Sequence, residues 1–433
     1  MTTARLPGVG RIPTLVLPPI SDERLESGLR VVAARHPSVP VVEMRLAIRL
    51  YPGSFTEAAV HELLAATLLQ GTKTRDHHAI VDDLADVGCS LSALRSARRL
   101  IVTGSGPASS LAVLLDVLAD ALESAAYPDP VVDAARCRAS EQILATRGQP
   151  NLVASQALME HLYDELPQLQ DVPGMSEIAA VTAADLRAAH QDVLRGDDAV
   201  MVLVGDIDPD DAITRVRHAL GAWRGRTSVR PATALVQRNS GITVVDRAGA
   251  AQSQIRLVRP CLDRNDPGYA ALTLANYVFG GYFSSRLVAD VRESRGLAYH
   301  CEATFTDHLD QVMLAVHADT ATASTMLTLE RIRQNMRELT TRPPTGAEVD
   351  AARRYVTGMT ALAVSSQQAW ASSLLMALVL NQEPDRITRF LGELTDTGTR
   401  EVAAVAATFF DPEDYHGVVL GDSKHFTQRE TTR

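Results

Sequence analysis

The alternation of apolar and polar positions predicts one series of strands and helices that occurs twice along the chain. Between Leu29 and Leu50, two alternating, β-branched runs flank a turn at 37–40 and predict a pair of strands. A second series runs from Ile242 to Leu420. The other elements predicted in the first half are helices at about 57–69 and 75–87, strands at about 89–95 and 98–104, helices at about 107–124, 128–146 and 151–164, and a capped helix from Thr182 to about Leu194.

Three sequence landmarks recur in the same order at nearly constant spacing, which indicates an internal repeat. The residues 132–136 recur identically at 349–353, the strand-like run 200–206 matches 417–422, and Met44-Arg45-Leu46 matches Ile255-Arg256-Leu257. One such match could arise by chance in an alanine-rich chain, but three in order are difficult to obtain that way. We therefore expect two homologous domains of the α+β class, each a mostly antiparallel sheet with helices packed on one face.

The repeat and the composition together predict the domain boundaries. The polar segment rich in arginine and proline between the two copies shows neither helical nor strand periodicity. The predicted divisions are an N-terminal tail at 1–20, a first domain at 21–223, a linker at 224–240, a second domain at 241–425 and a C-terminal tail at 426–433.

Composition and charge narrow the class of protein. The 433 residues are 46% hydrophobic and 22% charged, which is ordinary for a soluble globular protein. The net charge of −10 argues against nucleic acid as a partner. The sequence contains no signal-type apolar region near the N-terminus and no run of 18 apolar residues, and its four cysteines are widely spaced. We expect a cytoplasmic protein with reduced thiols and no membrane contact.

The segment Glu62-Leu63-Leu64-Ala65-Ala66, shortly before Gly71-Thr72, is the most informative motif. It resembles the H-x-x-E-H segment of the pitrilysin/insulinase-like M16 peptidases, in which two histidines bind zinc and the glutamate activates the metal-bound water. The resemblance puts Glu62 at the first histidine, Ala65 at the glutamate and Ala66 at the second histidine. It implies that this chain binds no catalytic zinc and hydrolyses no peptides alone.

Other candidate metal ligands are weaker. His61 to Ala65 follows H-E-x-x-H without its last histidine, and no two of the twelve histidines are four residues apart. We expect His61 and the adjacent His77 and His78 to lie at the surface. By the resemblance, Glu141 falls at the family's third zinc ligand, but without histidine partners an exposed helical glutamate is the favoured alternative.

The second half resembles the family's substrate-binding block. The match covers 283–287 and 291–299 and implies that Arg292 and Tyr299 project toward the substrate and stabilise the developing oxyanion. Arg295 and Gly296 match positions commonly Arg-Gly in short family members. The alternative is that Arg292 forms an ion pair with Glu293 or Asp290 while Tyr299 packs in a strand.

The strand around Leu91, Ser92 and Ala93 resembles the edge strand with which family members pair an extended substrate, and an ordinary strand is the alternative. The whole resemblance extends from about residue 20 to residue 425 and implies the LuxS/MPP-like metallohydrolase fold. It is strongest to short members, in which two polypeptides complete one proteolytic chamber.

The function implied by this resemblance is that of a non-zinc subunit. A homologous partner with intact H-x-x-E-H would supply zinc, while this chain itself needs no cofactor. The substrate would be an unfolded or extended peptide, as in leader or small-peptide processing. The alternatives are a proteolytically dead homologue that acts as a scaffold or peptide-binding subunit, and a peptide-binding chaperone.

Overall fold

The structure is a computed structural model that describes residues 17–96, 98–163, 166–169, 172–197, 199–223, 239–309 and 311–426. Most of the predicted linker and most of both predicted tails lie outside the described residues. Within the described residues, the four cysteines are free thiols.

The described residues of the first half form a six-stranded sheet with one parallel pair of strands. The strand order is β1-β2-β6-β3-β5-β4, and β2 and β6 are the parallel pair. The strands are β1 (Ile20–Arg24), β2 (Arg30–Arg35), β3 (Val41–Arg49), β4 (Ser90–Ser96), β5 (Arg99–Pro107) and β6 (Ala199–Gly205).

The described residues of the second half form a five-stranded sheet with the strand order of the first sheet, but without a strand that corresponds to β1. The strand order is β7-β11-β8-β10-β9, with β7 and β11 parallel. The strands are β7 (Ile242–Asp246), β8 (Gln252–Pro260), β9 (Ala298–His308), β10 (Gln311–Ala321) and β11 (His416–Gly421).

Helices surround both sheets. In the first half they are α1 (Phe55–Thr67), α2 (His77–Ala85), α3 (Leu111–Ser124), α4 (Asp129–Arg147), α5 (Pro150–Leu162), α6 (Met175–Ala180), α7 (Ala183–Val193) and α8 (Pro209–Leu220). In the second half they are α9 (Tyr269–Phe279), α10 (Arg286–Val288), α11 (Thr325–Thr341), α12 (Gly346–Ala363), α13 (Gln367–Val379), α14 (Arg386–Asp396) and α15 (Thr399–Phe409), and a π-helical turn at Ala289–Ser294 follows α10.

The predicted repeat is confirmed at the level of strand register. Arg45 on β3 faces Val202 on β6, and the matching Arg256 on β8 faces Val418 on β11. Both arginines are buried. The predicted fold class, α+β with two homologous and mostly antiparallel units, is confirmed.

Each sheet packs its main helical layer on one face. In β3, Met44, Leu46 and Ile48 point into a core shared with α1 and α3. In β8, Ile255 and Leu257 point into the corresponding core of the second half. Alternating side chains of one strand therefore divide between two faces.

In addition, each half packs one of its helices on the sheet of the other half, on the face opposite to that sheet's main helical layer. Trp370 and Leu374 of α13 pack on Val202 and Val204 of the first sheet. Leu158 and Leu162 of α5 pack with residues of β8, β10 and β11 of the second sheet. Because α5 and α13 occupy matching places in the repeat, this exchange is reciprocal and buries apolar surface between the halves.

Among the described residues, no single helix has the length and hydropathy of a membrane span. The helices α12 and α13 reach that threshold only as a pair, and they are bent by 109° at the break between them.

Candidate functional site

The segment that resembles a zinc motif lies on α1. The hydroxyl of Ser54 caps the helix by accepting a hydrogen bond from the backbone N–H of Glu57. Ala65 is buried in the core, Ala66 is exposed, and Glu62 is half-buried. Neither alanine offers a ligand atom, so this helix presents one carboxylate where the motif requires two imidazoles and a carboxylate.

Arg95 contacts the Glu62 carboxylate, which is the one acidic group left at the motif positions. Nη1 of Arg95 lies 3.2 Å from Oε2 of Glu62, and the Arg95 side chain is fully buried while that of Glu62 is partly exposed. Arg95 reaches α1 from β4. A guanidinium is permanently charged, so its presence beside Glu62 disfavours a divalent cation at the same place.

The Gly71-Thr72 pair after α1 has a structural role. Gly71 has a φ of +140°, a backbone conformation that favours glycine. The Thr72 hydroxyl donates a hydrogen bond of 2.7 Å to a carboxylate oxygen of Asp120 on α3. Burial alone would raise the pKa of Asp120, but hydrogen bonds from three hydroxyls and from the Arg75 guanidinium lower it to about 2. The pair therefore holds the end of the α1 segment against α3.

The remaining metal-ligand candidates do not converge. Glu141 is exposed on α4. Within the part of the chain that the structure describes, no three His, Cys, Asp or Glu side chains are placed to hold a metal ion.

The expected surface position is correct for His77 and His78 but wrong for His61. Only 3% of His61 is accessible. The helices α4, α6 and α7 pack against α1, the helix that carries His61. A histidine at that position is enclosed because tertiary packing, rather than residue type, determines burial.

Arg292 lies on the π-helical turn and is exposed. Its Cζ lies 5.6 Å from the centre of the Phe283 ring, within the range of a cation–π contact. Its Nε lies 3.6 Å from Oε1 of Glu293, with both side chains more than 40% exposed. An ion pair this exposed contributes little to stability.

Asp290, the other carboxylate considered for Arg292, is bound elsewhere. It accepts hydrogen bonds from Arg295 at 2.9 Å, from Arg331 at 2.7 Å and from Asn335 at 2.8 Å. Burial would raise the pKa of Asp290, but these three donors lower it below its usual value. The network fixes the turn that carries Arg292 to α11.

Tyr299 lies in a β-bulge near the start of β9 and is 85% exposed. On β10, Asp319 faces His300 and Thr320 faces Ala298, so Tyr299 is the extra residue. A bulge re-aims the side chain that it inserts. The alternative prediction, in which the Tyr299 side chain packs against its neighbours in the strand, is therefore wrong.

The link between Arg292 and Tyr299 is short and well defined. Gly296 lies between them with a φ of +58°, and its N–H donates to the carbonyl of Arg292 at 3.0 Å. The N–H of Leu297 donates to the carbonyl of Val291 at 2.9 Å. The two exposed side chains are therefore held at the two ends of one closed turn, which joins the π-helical segment to β9.

The strand β4 lies at an edge of the first sheet. Among the described residues it pairs with β5 and with no other strand. Leu91 and Ala93 are half-buried on the face that also carries the Arg95 side chain, while Ser92 and Leu94 are exposed on the other. The strand occupies the same place in its sheet as β9 does in the second sheet.

A cavity of about 630 Å³ lies between α5 and the second sheet. Apolar side chains such as Leu158, Met159 and Val258 line it together with His308 and His317. None of the candidate site residues from the sequence lines it, so this cavity is separate from them.

Sequence reasoning missed the groups that support the candidate residues. The contact between Arg95 and Glu62 could not be predicted, because no local sequence pattern pairs an arginine on a strand with a glutamate on a helix 33 residues away. The Asp290 network was hidden for the same reason, since Arg331 and Asn335 lie on α11. The cluster of charged residues in the segment 290–295 is the sequence signal that could have suggested the Asp290 network.

Solved structures share this two-domain arrangement. A peptidase M16 inactive domain from Pseudomonas fluorescens superposes with a TM-score of 0.84 at 21% identity, covering 93% of this chain and 98% of that one. The periplasmic protease PqqL from Escherichia coli gives a TM-score of 0.76 at 15% identity, covering 97% of this chain and 49% of that one. At these identities the likeness establishes the fold, which is the two-domain M16 fold.

Sequence comparisons agree with the fold. The family model of the peptidase M16 inactive domain matches residues 180–356, a range that contains Arg292 and Tyr299. An uncharacterized zinc protease of Mycobacterium leprae is 24% identical over 403 residues, which are 92% of this chain and 90% of that protein. The family-model match, the relatives and the shared fold together support an M16 family member.

Proposed function

We propose that this chain is the zinc-free subunit of a two-chain M16 metallopeptidase. A homologous partner would carry H-x-x-E-H and bind zinc, which in that partner would activate water for attack on a peptide bond. This chain would contribute Arg292 and Tyr299 to the same site.

The observation that carries the proposal is the contrast between the two halves. On α1, alanines stand at two positions of the zinc motif and a buried Arg95 pairs with the third residue. In the second half, Arg292 and Tyr299 both face solvent at the two ends of one closed turn. A polar pair held outward by a π-helical turn and a β-bulge is better suited to a ligand than to the stability of its own chain.

The chemistry of the pair matches the proposed role. A guanidinium donates from a planar array of N–H groups and a phenol donates one O–H, and neither must change protonation state to do so. Both can bind a carbonyl oxygen that gains negative charge in the transition state. Removal of one such donor typically lowers the rate by about 10²–10³.

Two observations support pairing with a second unit and an extended substrate. This chain covers about half of the PqqL chain, so that protease contains length for two units of this size. The edge strand β4 offers Leu91, Ser92 and Ala93 for backbone pairing with an extended peptide. Leader or small-peptide processing is the proposed use of such a site.

Co-expression with a homologue that retains H-x-x-E-H tests the proposal. We expect a stable heterodimer that hydrolyses unfolded peptides, whereas either chain alone has little activity. Peptide hydrolysis by this chain alone with zinc would refute the proposal, as would failure to bind any such homologue.

A second candidate is a scaffold or peptide-binding subunit without a catalytic contribution. The matching family model describes an inactive domain, which favours this alternative. It predicts assembly with a partner in which Arg292 and Tyr299 are dispensable. Activity of the assembled pair after replacement of both residues separates the two candidates.

A further inference from the structure

An exposed apolar surface continues from the Arg292 turn onto α12. Tyr355, Met359 and Leu362 are 40%, 46% and 64% exposed. Spacings of four and three residues place them on one face of the helix. Seven residues of helix span about 10 Å, the length of roughly three residues of an extended chain.

Aromatic contacts connect this helix face to Arg292. The Tyr355 ring lies 5.1 Å from the Tyr282 ring and 5.7 Å from the Tyr277 ring, measured between centroids. The next residue, Phe283, is 59% exposed and lies under the Arg292 guanidinium. We name this surface the aromatic ridge; it comprises Tyr277, Tyr282, Phe283, Tyr355, Met359 and Leu362.

The repeat supplies an internal reference for this surface. The helices α4 and α12 begin 217 residues apart, as do α5 and α13, so the positions can be matched without gaps. The positions of Tyr355, Met359 and Leu362 correspond to Arg138, Gln142 and Ala145 in the first half, which are all exposed. The fold therefore does not require large apolar side chains there.

The ridge is small for a subunit interface. If each large side chain has a total surface of about 200 Å², the four most exposed side chains of the ridge present roughly 400 Å² to solvent. A standard protein–protein interface takes about 800 Å² from each partner. An exposed apolar patch of a few hundred Å² that ends at a cationic side chain suits a short peptide segment.

We infer that the aromatic ridge binds bulky apolar side chains of an extended peptide on the side of the cleavage site that lies beyond Arg292. This inference rests on the proposed function, because it assumes that Arg292 faces the peptide. It adds a substrate class: peptides with two or three leucine, phenylalanine or similar side chains within about three residues.

The test uses the full isolated chain and two fluorescent peptides of about ten residues with equal charge. One carries Leu-Phe-Leu at its centre and the other Ser-Asn-Ser. By fluorescence anisotropy we expect the apolar peptide to bind at least about tenfold more tightly, since burial of one large side chain corresponds to that factor or more.

The matched variant transfers the first-half residues to the ridge: Tyr355→Arg, Met359→Gln and Leu362→Ala. We expect it to reduce the preference to less than about twofold. The melting temperature should fall only slightly, through the lost ring contacts of Tyr355 with Tyr277 and Tyr282, so that the variant stays folded. Met359→Gln alone should give an intermediate loss. The control is Val81→Gln on α2, an exposed apolar residue outside the ridge, which should leave the preference unchanged.

Three results would overturn the inference. They are equal binding of the two peptides by the wild-type chain, an undiminished preference in the matched variant, and wild-type self-association that the variant abolishes without any effect on peptide binding. The last result would make the ridge an interface between chains. Because the assay needs no zinc-bearing partner, loss of the peptide preference is distinguishable from failure of the pair to hydrolyse peptides.

Discussion

At the scale of single residues, two buried arginines repeat one arrangement in both sheets. Nη1 of Arg45 donates to the carbonyl of Met44 at 2.8 Å, and Nη1 of Arg256 donates to that of Ile255 at 2.9 Å. Each guanidinium also has a carboxylate partner, Glu43 for Arg45 at 3.0 Å and Asp319 for Arg256 at 2.8 Å. The acid comes from the arginine's own strand in one half and from the neighbouring strand in the other.

Replacement of Arg256 by alanine tests this arrangement. The change leaves Asp319 without its guanidinium and removes the donor to the carbonyls of Ile255 and Ala318. We therefore expect a loss of about 2–3 kcal/mol in the free energy of unfolding. Urea denaturation measures it. Arg215→Ala, which removes an exposed i,i+4 pair with Asp211, should cost less than about 0.5 kcal/mol. Equal losses for the two variants would contradict this account.

At the scale of elements, local periodicity predicted most strands and helices because amphipathic patterns are local. The strands at 30–35 and 41–49 and the capped helix starting after Thr182 appear as expected. The sequence could not indicate that α5 and α13 each cover the other half's sheet, since a helix's apolar stripe does not specify which sheet it meets.

In the candidate site, too, the sequence indicated local features but not contacts between distant segments. The candidate residues were identified from their order in a motif, but the groups that contact and support them were not. The β-bulge at Tyr299 and the Arg95–Glu62 pair arise from strand register and from contacts between distant segments. The prediction for His61 was wrong for a related reason, because three helices from later in the chain pack against the helix that carries it.

Reconstruction of the zinc motif on α1 should fail to create a peptidase. In the variant Glu62→His, Ala65→Glu, Ala66→His, the new imidazole at 62 lies beside the buried Arg95 cation, which opposes zinc. A carboxylate at the buried position 65 should cost about 2–4 kcal/mol in stability. We expect at most weak zinc binding and little hydrolysis, measured by metal analysis of tag-free protein and by a peptide assay.

Ala66→His alone serves as the control for that variant. Position 66 is exposed, so this change should leave the free energy of unfolding nearly unaltered. Stoichiometric zinc together with strong peptidase activity in the triple variant would show that the helix is only a damaged catalytic site.

At the scale of the whole molecule, the two halves are joined by exchanged helices and by a buried polar contact. Tyr163 follows α5, and its Oη lies 2.9 Å from Nδ1 of His308 at the end of β9. Burial lowers the pKa of His308 to about 4, while nearby Asp307 and His317 act on it in opposite directions. The imidazole is therefore neutral at this junction near pH 7.

This junction should weaken in acid. The folded pKa of His308 lies below its unfolded value of 6.5, so its contribution is complete above pH 6.5 and is lost as the pH falls toward 4. Relative to the wild type, His308→Gln should remove up to about 3 kcal/mol of the pH dependence in that window. Denaturation at several pH values measures it, with His425→Gln, an exposed histidine, as the control. An unchanged pH profile in His308→Gln would contradict the assignment.

The central claim is that this chain donates Arg292 and Tyr299 to a partner's catalytic site, and kcat of the reconstituted pair tests it most directly. With Arg292→Ala or Tyr299→Phe, we expect kcat to fall by about 10²–10³ while the heterodimer still forms. Arg400→Ala, an exposed arginine on α15, should leave kcat unchanged. A pair that retains its full kcat with both donors replaced would contradict the account and leave this chain as a scaffold.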